Sequence, residues 1–285
     1  MIAAQLEGRL GNQLFQYAFI YAAAKRLNTT FYIDKGVEDF ILSKYFEVEK
    51  DFPTLLDRKL FSIDGYKNIF RVHSRKAFYK LLNAVIFRGK KIVIDNEIAP
   101  VEALKLVKNN CLYHGFFHSQ NYFHDFKNEV RGQFKIKSKF TSAFNEIKKQ
   151  FPVAKKKAVI HIRRTDYVAI NISLPVSYYK DAIAKIAGED VQYIFISDDP
   201  AFIESEFASV PNKYVSIQSE IIDFQFLMDA DICILSCSSF SWWGAWLNQN
   251  PNKQVYAPRY WLGFKEGKEF PAGAMDHLNI NWIET

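Results

Sequence analysis

Ile2-Ala3-Ala4-Gln5-Leu6-Glu7-Gly8-Arg9-Leu10-Gly11-Asn12-Gln13-Leu14-Phe15 opens the chain and decides its fold class. The apolar run at 2–6 reads as a strand, and the turn between Gly8 and Gly11 ends it. Apolar residues then recur at helical spacing at Phe15, Ala18, Phe19 and Ala22, with Asn12 the expected N-cap. Phe31-Tyr32-Ile33 reads as the next strand. Strand, glycine turn, helix, strand is the rhythm of a parallel α/β unit. The same rhythm returns beyond Pro152 and the run Lys155-Lys156-Lys157. Apolar segments of buried-strand length lie at 158–162, 192–196, 231–235 and 254–257, with helical patterns at 177–187 and 223–230. The expectation is an α/β protein in two halves, 1–151 and 152–285, divided near Phe151. The stretch 34–151 mixes short helical and strand patterns.

Composition agrees with a packed protein. A chain of 285 residues suits one large domain or two small ones. Hydrophobic residues at 49% and charged residues at 24% exclude disordered and fibrous classes. Cys111, Cys233 and Cys237 are too few and too scattered for a disulfide framework, and reduced thiols are expected. The net charge of +6 suits an anionic ligand, a membrane surface or nucleic acid. The N-terminus lacks the pattern of a secretory signal, and the apolar stretch at 14–24 is short of the ~20 residues that span a bilayer. A cytoplasmic protein is expected.

Three of the later strands run into polar clusters, where open parallel sheets bind ligands. The first is His161-Ile162-Arg163-Arg164-Thr165-Asp166-Tyr167. Paired arginines there suit a phosphate group, because the planar guanidinium matches its oxygens. The alternative is an arginine–Asp166 surface ion pair. The second is Ser197-Asp198-Asp199-Pro200, in which Asp199 reads as a helix start, leaving Ser197 and Asp198 open. The third is Ser236-Cys237-Ser238-Ser239-Phe240-Ser241-Trp242-Trp243-Gly244-Ala245-Trp246, a strand end entering an apolar helix. Serine hydroxyls and free N–H groups at a helix start favour an anion. Trp243 and Trp246 read as core, and Trp242 is either core or a stacking platform for a sugar. Asp223 is placed to read guanine, whose two N–H donors one carboxylate accepts together. Asp229-Ala230-Asp231 precedes its strand and is not read as a metal pair. His114, His118 and His124 lack the partners of a zinc set.

At these residues the chain resembles a known family. Gly8-Arg9-Leu10-Gly11-Asn12-Gln13-Leu14-Phe15-Gln16-Tyr17-Ala18, the His161-x-Arg163-Arg164-x-Asp166-Tyr167 motif, Ile196-Ser197-Asp198-Asp199 and the block from Ser238 to Leu247 are similar, in order, to motifs of the bacterial inverting α-1,2-fucosyltransferases. The segment from Gly115 to Phe123 is similar to a further family stretch, with His118 where glutamine is expected. The resemblance implies a GT-B-like pair of Rossmann-type domains facing a cleft, acceptor-side in 1–151 and GDP-fucose-binding in 152–285. It implies GDP-L-fucose as donor substrate and a β-galactoside acceptor such as lactose, N-acetyllactosamine or a surface-glycan intermediate. No separate cofactor and no metal are expected. Arg163 would hold the diphosphate and stabilise the leaving group. His161, Ser197, Asp198, Ser238, Ser239 and Phe240 would line the donor, and Asp223 would read guanine. Gly11, Asn12, His118 and Trp242 fall on the acceptor side. Asn12 is also placed near the fucose, and Asp166 and Asp198 are candidates for a base.

Two rivals remain at this level. The α-1,6- and protein O-fucosyltransferases share the arginine motif but not the Ser-Phe-Ser-Trp-Trp-Gly-Ala-Trp block. A basic, aromatic-rich chain also suits a single-stranded RNA-binding module, although no RNP-type motif is present and no nucleic-acid partner is expected. Weak peripheral membrane association through basic residues is a further expectation.

Overall fold

The computed structural model describes residues 1–48, 69–152, 155–187 and 190–285. These form two compact units, Met1–Ile136 with Ala272–Asp276, and Lys137–Pro271 with His277–Thr285. The chain changes units at Ile136, upstream of the expected boundary at Phe151. The reason is the helix Ser138–Lys148, which packs Phe144 edge-on against Phe226 at 5.1 Å and pairs Lys148 with Asp229.

The first unit is built on a four-stranded parallel sheet of β1 (Ile2–Gln5), β2 (Phe31–Asp34), β3 (Lys91–Val93) and β4 (Leu112–His114), in the order β2-β1-β4-β3. Between β1 and β2 runs the helix Leu10–Arg26, buried from Leu10 to Ala24 except at Asn12. A helix apolar all round belongs inside a protein. Tyr17 and Phe19 anchor it, Phe19 stacking on Phe117 at 3.8 Å. Its N-cap is Arg9 in extended conformation, without a side-chain cap, so the expected cap at Asn12 is corrected by three residues. Gly8 explains the earlier start. It turns the chain at φ +80°, and a Cβ there would sit 2.4 Å from Asn12 Nδ2.

The second unit carries a six-stranded, all-parallel sheet in the order β10-β9-β8-β5-β6-β7. Its strands are β5 (Lys156–Ile162), β6 (Val191–Ser197), β7 (Lys213–Val215), β8 (Ile232–Ile234), β9 (Gln254–Pro258) and β10 (Asn281–Ile283). The four apolar segments expected as strands are β5, β6, β8 and β9. The helices Val176–Lys185 and Glu220–Met228 stand where helical patterns were read. In the helix Ser239–Leu247, Trp242, Trp243 and Trp246 pack on one another with centroids 5.0–6.1 Å apart. Gly244 lets this helix meet its neighbour, since a Cβ would lie 2.5 Å from Leu227 Cβ. The three cysteines are buried and free.

Candidate active site

The strand order of the second unit marks one place for a ligand. From β5 the chain adds β6 and β7 on one side, then returns to lay β8, β9 and β10 on the other. The carboxyl ends of β5 and β8 therefore flank the reversal point of the sheet, where ligands of open α/β sheets bind. All three polar clusters leave the sheet at this edge, since β8, β5 and β6 are adjacent and parallel.

His161, inward-facing near the end of β5, spans the reversal point through Nδ1, which lies 2.6 Å from Ser236 Oγ beyond β8. Burial depresses its pKa to about 3, the Arg163 charge adding to the depression and Asp198 opposing it. The imidazole is neutral at physiological pH. Ser236 Oγ and Nδ1 share one hydrogen bond, and the other ring nitrogen, Nε2, is left for a ligand.

Arg163 follows β5 directly, and two carboxylates fix it. Nε and Nη2 donate to Asp166 at 2.7 and 2.8 Å in a bidentate fork, and Nη1 lies 3.1 Å from Asp198 Oδ2. A guanidinium has five N–H bonds. The fork engages two of them and Asp198 attracts Nη1 as an ion pair, so N–H bonds on Nη1 and Nη2 are left for an incoming anion. Asp198 is held in turn by the Arg164 N–H at 2.8 Å and by the Thr165 hydroxyl. Tyr167 ties the loop to β8, donating from its hydroxyl to the Cys237 carbonyl at 2.9 Å, with its ring 5.9 Å from the guanidinium. The ion pair with Asp166, weighed above as an alternative to a phosphate site, is the device that aims the arginine.

The two arginines do not act together. Arg164 lies flat on Phe202 at 3.4 Å and pairs with Asp199, so the expectation of a phosphate-clamping pair reduces to Arg163 alone. Asp166, a candidate base, has both oxygens on Arg163 and serves as an orienting group. Asp198 likewise orients. Ser197 Oγ accepts from the Asp199 N–H, shaping the turn that ends β6, and Asp199 caps the next helix.

Beyond β8, Ser238 caps the helix Ser239–Leu247, its hydroxyl accepting from the Phe240 N–H at 3.3 Å. Ser239 and Phe240 are half-buried at this positive helix end. The Phe240 ring lies 5.2 Å from His161 and 5.3 Å from Phe224, which links the reversal point to Asp223. Asp223 accepts from Ser216 Oγ, in the loop after β7. Burial raises its pKa to about 7, Ser216 opposing the rise and Glu220 adding to it. Trp242 is corrected: at 1% exposure it is core and offers no face to a sugar.

The first unit repeats the topology in other chemistry. Its reversal point lies between β1 and β4. There Asn12 Oδ1 meets His118 Nε2 at 3.0 Å, and His118 stands edge-on to Phe15 and stacked on Phe116. Burial lowers the His118 pKa to about 4, so this group too is neutral. Gly11 is buried in the first helical turn. Two residues passed over in the sequence hold the region together. Gln13, fully buried, donates to the carbonyls of Gly8 and Asp39 and accepts from the Ile41 N–H. Gln16, also fully buried, accepts from the Glu7 N–H and donates to the Gly115 carbonyl, tying the ends of β1 and β4. Their signal was a pair of amides on a helix otherwise apolar all round. Glu7 and His114 face each other at 2.8 Å on either side of this tie.

A cavity of about 300 Å³ lies elsewhere in the first unit, between the helix Ile69–Phe87 and the sheet, and no motif residue lines it. Asp229 is paired with Lys148 and Lys157, and Asp231 with backbone N–H and Asn250. Among the described residues no cluster of three metal-ligating side chains occurs, and no helix is long and apolar enough to cross a membrane.

Two units, each built on a parallel α/β sheet, are the architecture of the GT-B type. The chain belongs to the family described as Glycosyl transferase family 11, whose model matches residues 1–283. It is 29% identical to an O-antigen biosynthesis glycosyltransferase, WbnK, of Escherichia coli, over 90% of this chain and 93% of that one. It is 27% identical to an alpha-1,2-colitosyltransferase of Escherichia coli, over 95% of each chain. Among solved structures, the NodZ alpha-1,6-fucosyltransferase co-crystallised with GDP superposes with a TM-score of 0.58 at 14% identity, covering 86% of this chain and 91% of that one. POFUT1 in complex with GDP gives 0.53 at 12% identity, covering 90% and 97%. These likenesses support the fold. NodZ and POFUT1 are thus relatives in fold, while the sequence relatives are named for O-antigen biosynthesis and α-1,2-colitosyl transfer.

Proposed function

We propose that the protein transfers L-fucose from GDP-β-L-fucose to the 2-hydroxyl of a terminal β-galactoside, with inversion, without a metal. The observation that carries the reading is Arg163, aimed by Asp166 and Asp198 at the β5–β8 reversal point with N–H bonds left for a diphosphate. The acceptor hydroxyl oxygen attacks the anomeric carbon, the hydroxyl proton passing to solvent, as the bond to the β-phosphate oxygen breaks and the electron pair leaves on GDP. Negative charge grows on that oxygen through an oxocarbenium-like transition state. A fixed guanidinium meets it without reorganising, the electrostatic term that is worth most in such sites. His161, the Ser238–Ser239 helix start and Asp223 hold the rest of the nucleotide. Gly11, Asn12 and His118 belong to acceptor recognition, with lactose, N-acetyllactosamine or a surface-glycan intermediate as the acceptor class.

The test is a mass-spectrometric transfer assay with GDP-fucose, lactose and N-acetyllactosamine in excess EDTA. A product with the linkage on the galactose 2-hydroxyl is expected. GDP release without that product moves the search to other acceptors. Turnover with the 3-deoxy donor GDP-colitose and none with GDP-fucose would replace the donor sugar, in line with the colitosyl relative. Absence of both turnover and GDP binding overturns the reading.

A further inference from the structure

From residue 69 to 94 the sequence holds seven cations, Arg71, Arg75, Lys76, Lys80, Arg88, Lys90 and Lys91, and no carboxylate. The helix Ile69–Phe87 and the turn into β3 carry this run. Its inner face meets the needs of the core: Tyr79 and Phe87 are buried with Ala3, Tyr32 and Leu112, and Phe78, Leu82 and Ile86 pack around them. Two of the cations are engaged, Arg75 with Asp39 and Lys91 with Gln5. Lys76, Lys80, Arg88 and Lys90 are exposed, with no ion pair among the described residues.

The outer face is not purely polar. Leu81 and Val85, one helical turn apart, are 68% and 70% exposed, and Val93 on the edge strand β3 is 60% exposed. At 100° per residue, Lys76 and Lys80 lie on one flank of the exposed arc, Leu81 and Val85 on the other, and the small residues Ala77 and Ala84 between. Single exposed aliphatics need no explanation. A pair in register on a helix whose own charges are all positive, with Asp39 taken up by Arg75, has a specific chemistry. It is that of a helix lying in the headgroup plane, cations on lipid phosphates and aliphatics among the upper acyl carbons.

We propose that this face, Lys76, Lys80, Leu81, Val85, Arg88 and Lys90, docks the protein on an anionic phospholipid bilayer. A soluble polyanion would use the cations and leave Leu81 and Val85 in water, so the aliphatic pair decides for the membrane. The surface belongs to the first unit and the β5–β8 site to the second, and the inference does not depend on the proposed reaction.

The experiment is co-sedimentation of the full chain with mixed phosphatidylserine–phosphatidylcholine vesicles and with pure phosphatidylcholine vesicles. Binding to the mixed vesicles, weakening with salt, is expected. Each surface lysine contributes about fivefold to partitioning, so Lys76→Glu/Lys80→Glu lowers it by about 25-fold or more. Leu81→Ser/Val85→Ser lowers it by at least about tenfold, and Lys76→Arg/Lys80→Arg preserves it. Melting temperature and GDP affinity unchanged in the variants show that the fold and the other site are intact. If the Glu pair does not melt cooperatively, Lys76→Gln/Lys80→Gln replaces it, with a smaller loss. No binding to anionic vesicles overturns the proposal, as does binding indifferent to the lysine changes. Binding unaffected by the serine pair, with heparin retained as strongly as vesicles, assigns the face to a soluble polyanion and overturns it as well.

Discussion

The two reversal points share a topology and differ in chemistry. Between β1 and β4, the motif residues are neutral amides and imidazoles whose bonds run largely to backbone: Gln13 to Gly8, Asp39 and Ile41, Gln16 to Glu7 and Gly115. Between β5 and β8, the motif residues are a cation and two carboxylates that hold one another, Arg163 with Asp166 and Asp198. A motif of the first kind fixes the shape of loops. One of the second kind fixes the direction of a charge. The same word, motif, therefore stands for two physical jobs, and substitutions separate them: one reversal point should lose stability, the other turnover.

The largest effect is expected at the charged reversal point. Arg163→Ala removes the group that meets the leaving diphosphate, and transfer should fall by about 10³-fold, the scale of losing a preorganised charge stabiliser. The fold should persist, because Asp166 is half exposed and Asp198 keeps its bonds to the Arg164 N–H and the Thr165 hydroxyl. Steady-state transfer and thermal melting, measured on one preparation, separate the two. Arg163→Lys should recover little, since an ammonium cannot keep the bidentate fork to Asp166. Near-normal turnover in Arg163→Ala would sink the assignment of the donor site.

The neutral reversal point should answer in the opposite way. Gln16→Ala leaves the Glu7 N–H and the Gly115 carbonyl without their partner, at about 1–3 kcal/mol for each group that water does not reach. A loss of about 3 kcal/mol is expected in denaturant unfolding. GDP affinity of the folded protein should stay within about twofold, as sites without shared partners add independently. A Gln16→Ala protein as stable as its parent would show that the two bonds do not hold the loops. A large loss of GDP affinity without loss of stability would erase the contrast.

The same contrast sets how much the sequence discloses. β5 and β6 are seven-residue strands buried on both faces, so their apolar runs and the polar residues that end them were legible as a sheet edge with a site. β3, β4, β7 and β10 are three residues long, too short for a period to show. Asn12 reads locally as a cap, yet the helix begins at Leu10 because Gly8 turns the chain first. Trp242 reads equally as platform or core, and burial decides it. The sequence could name Arg163 but not its two orienting carboxylates as a set, since Asp198 arrives from the next strand, across a parallel pairing that puts His161 beside Ile196. Gln13 and Gln16 went unread as structural because their partners are backbone groups, which no side-chain pattern reveals.

The smallest effect sharpens the electrostatic side of the comparison at Asp223. Its pKa of about 7 arises from burial, against a Ser216 hydrogen bond and with Glu220 nearby. Guanine recognition needs the ionised form, which accepts both base N–H groups. A group with a pKa near 7 is about one-tenth ionised at pH 6 and about nine-tenths at pH 8. GDP affinity should therefore rise by about tenfold across that interval, apparent affinity following the competent fraction. The terminal phosphate of GDP titrates in the same range, so the readout is the difference between the parent and Asp223→Asn. That variant cannot ionise, should bind GDP more weakly at pH 8, and retains only the phosphate's share of the slope. Stability runs the other way. A carboxyl raised from 3.8 in the unfolded chain to about 7 in the folded one favours folding when protonated, so the free protein loses stability as pH rises through that window. Affinity gained between about pH 6 and 8 and stability lost between about pH 4 and 7, both flattened in Asp223→Asn, would tie the base-reading carboxylate to the charged reversal point. Parallel slopes in parent and variant would remove Asp223 from the nucleotide site and leave Arg163 to define it.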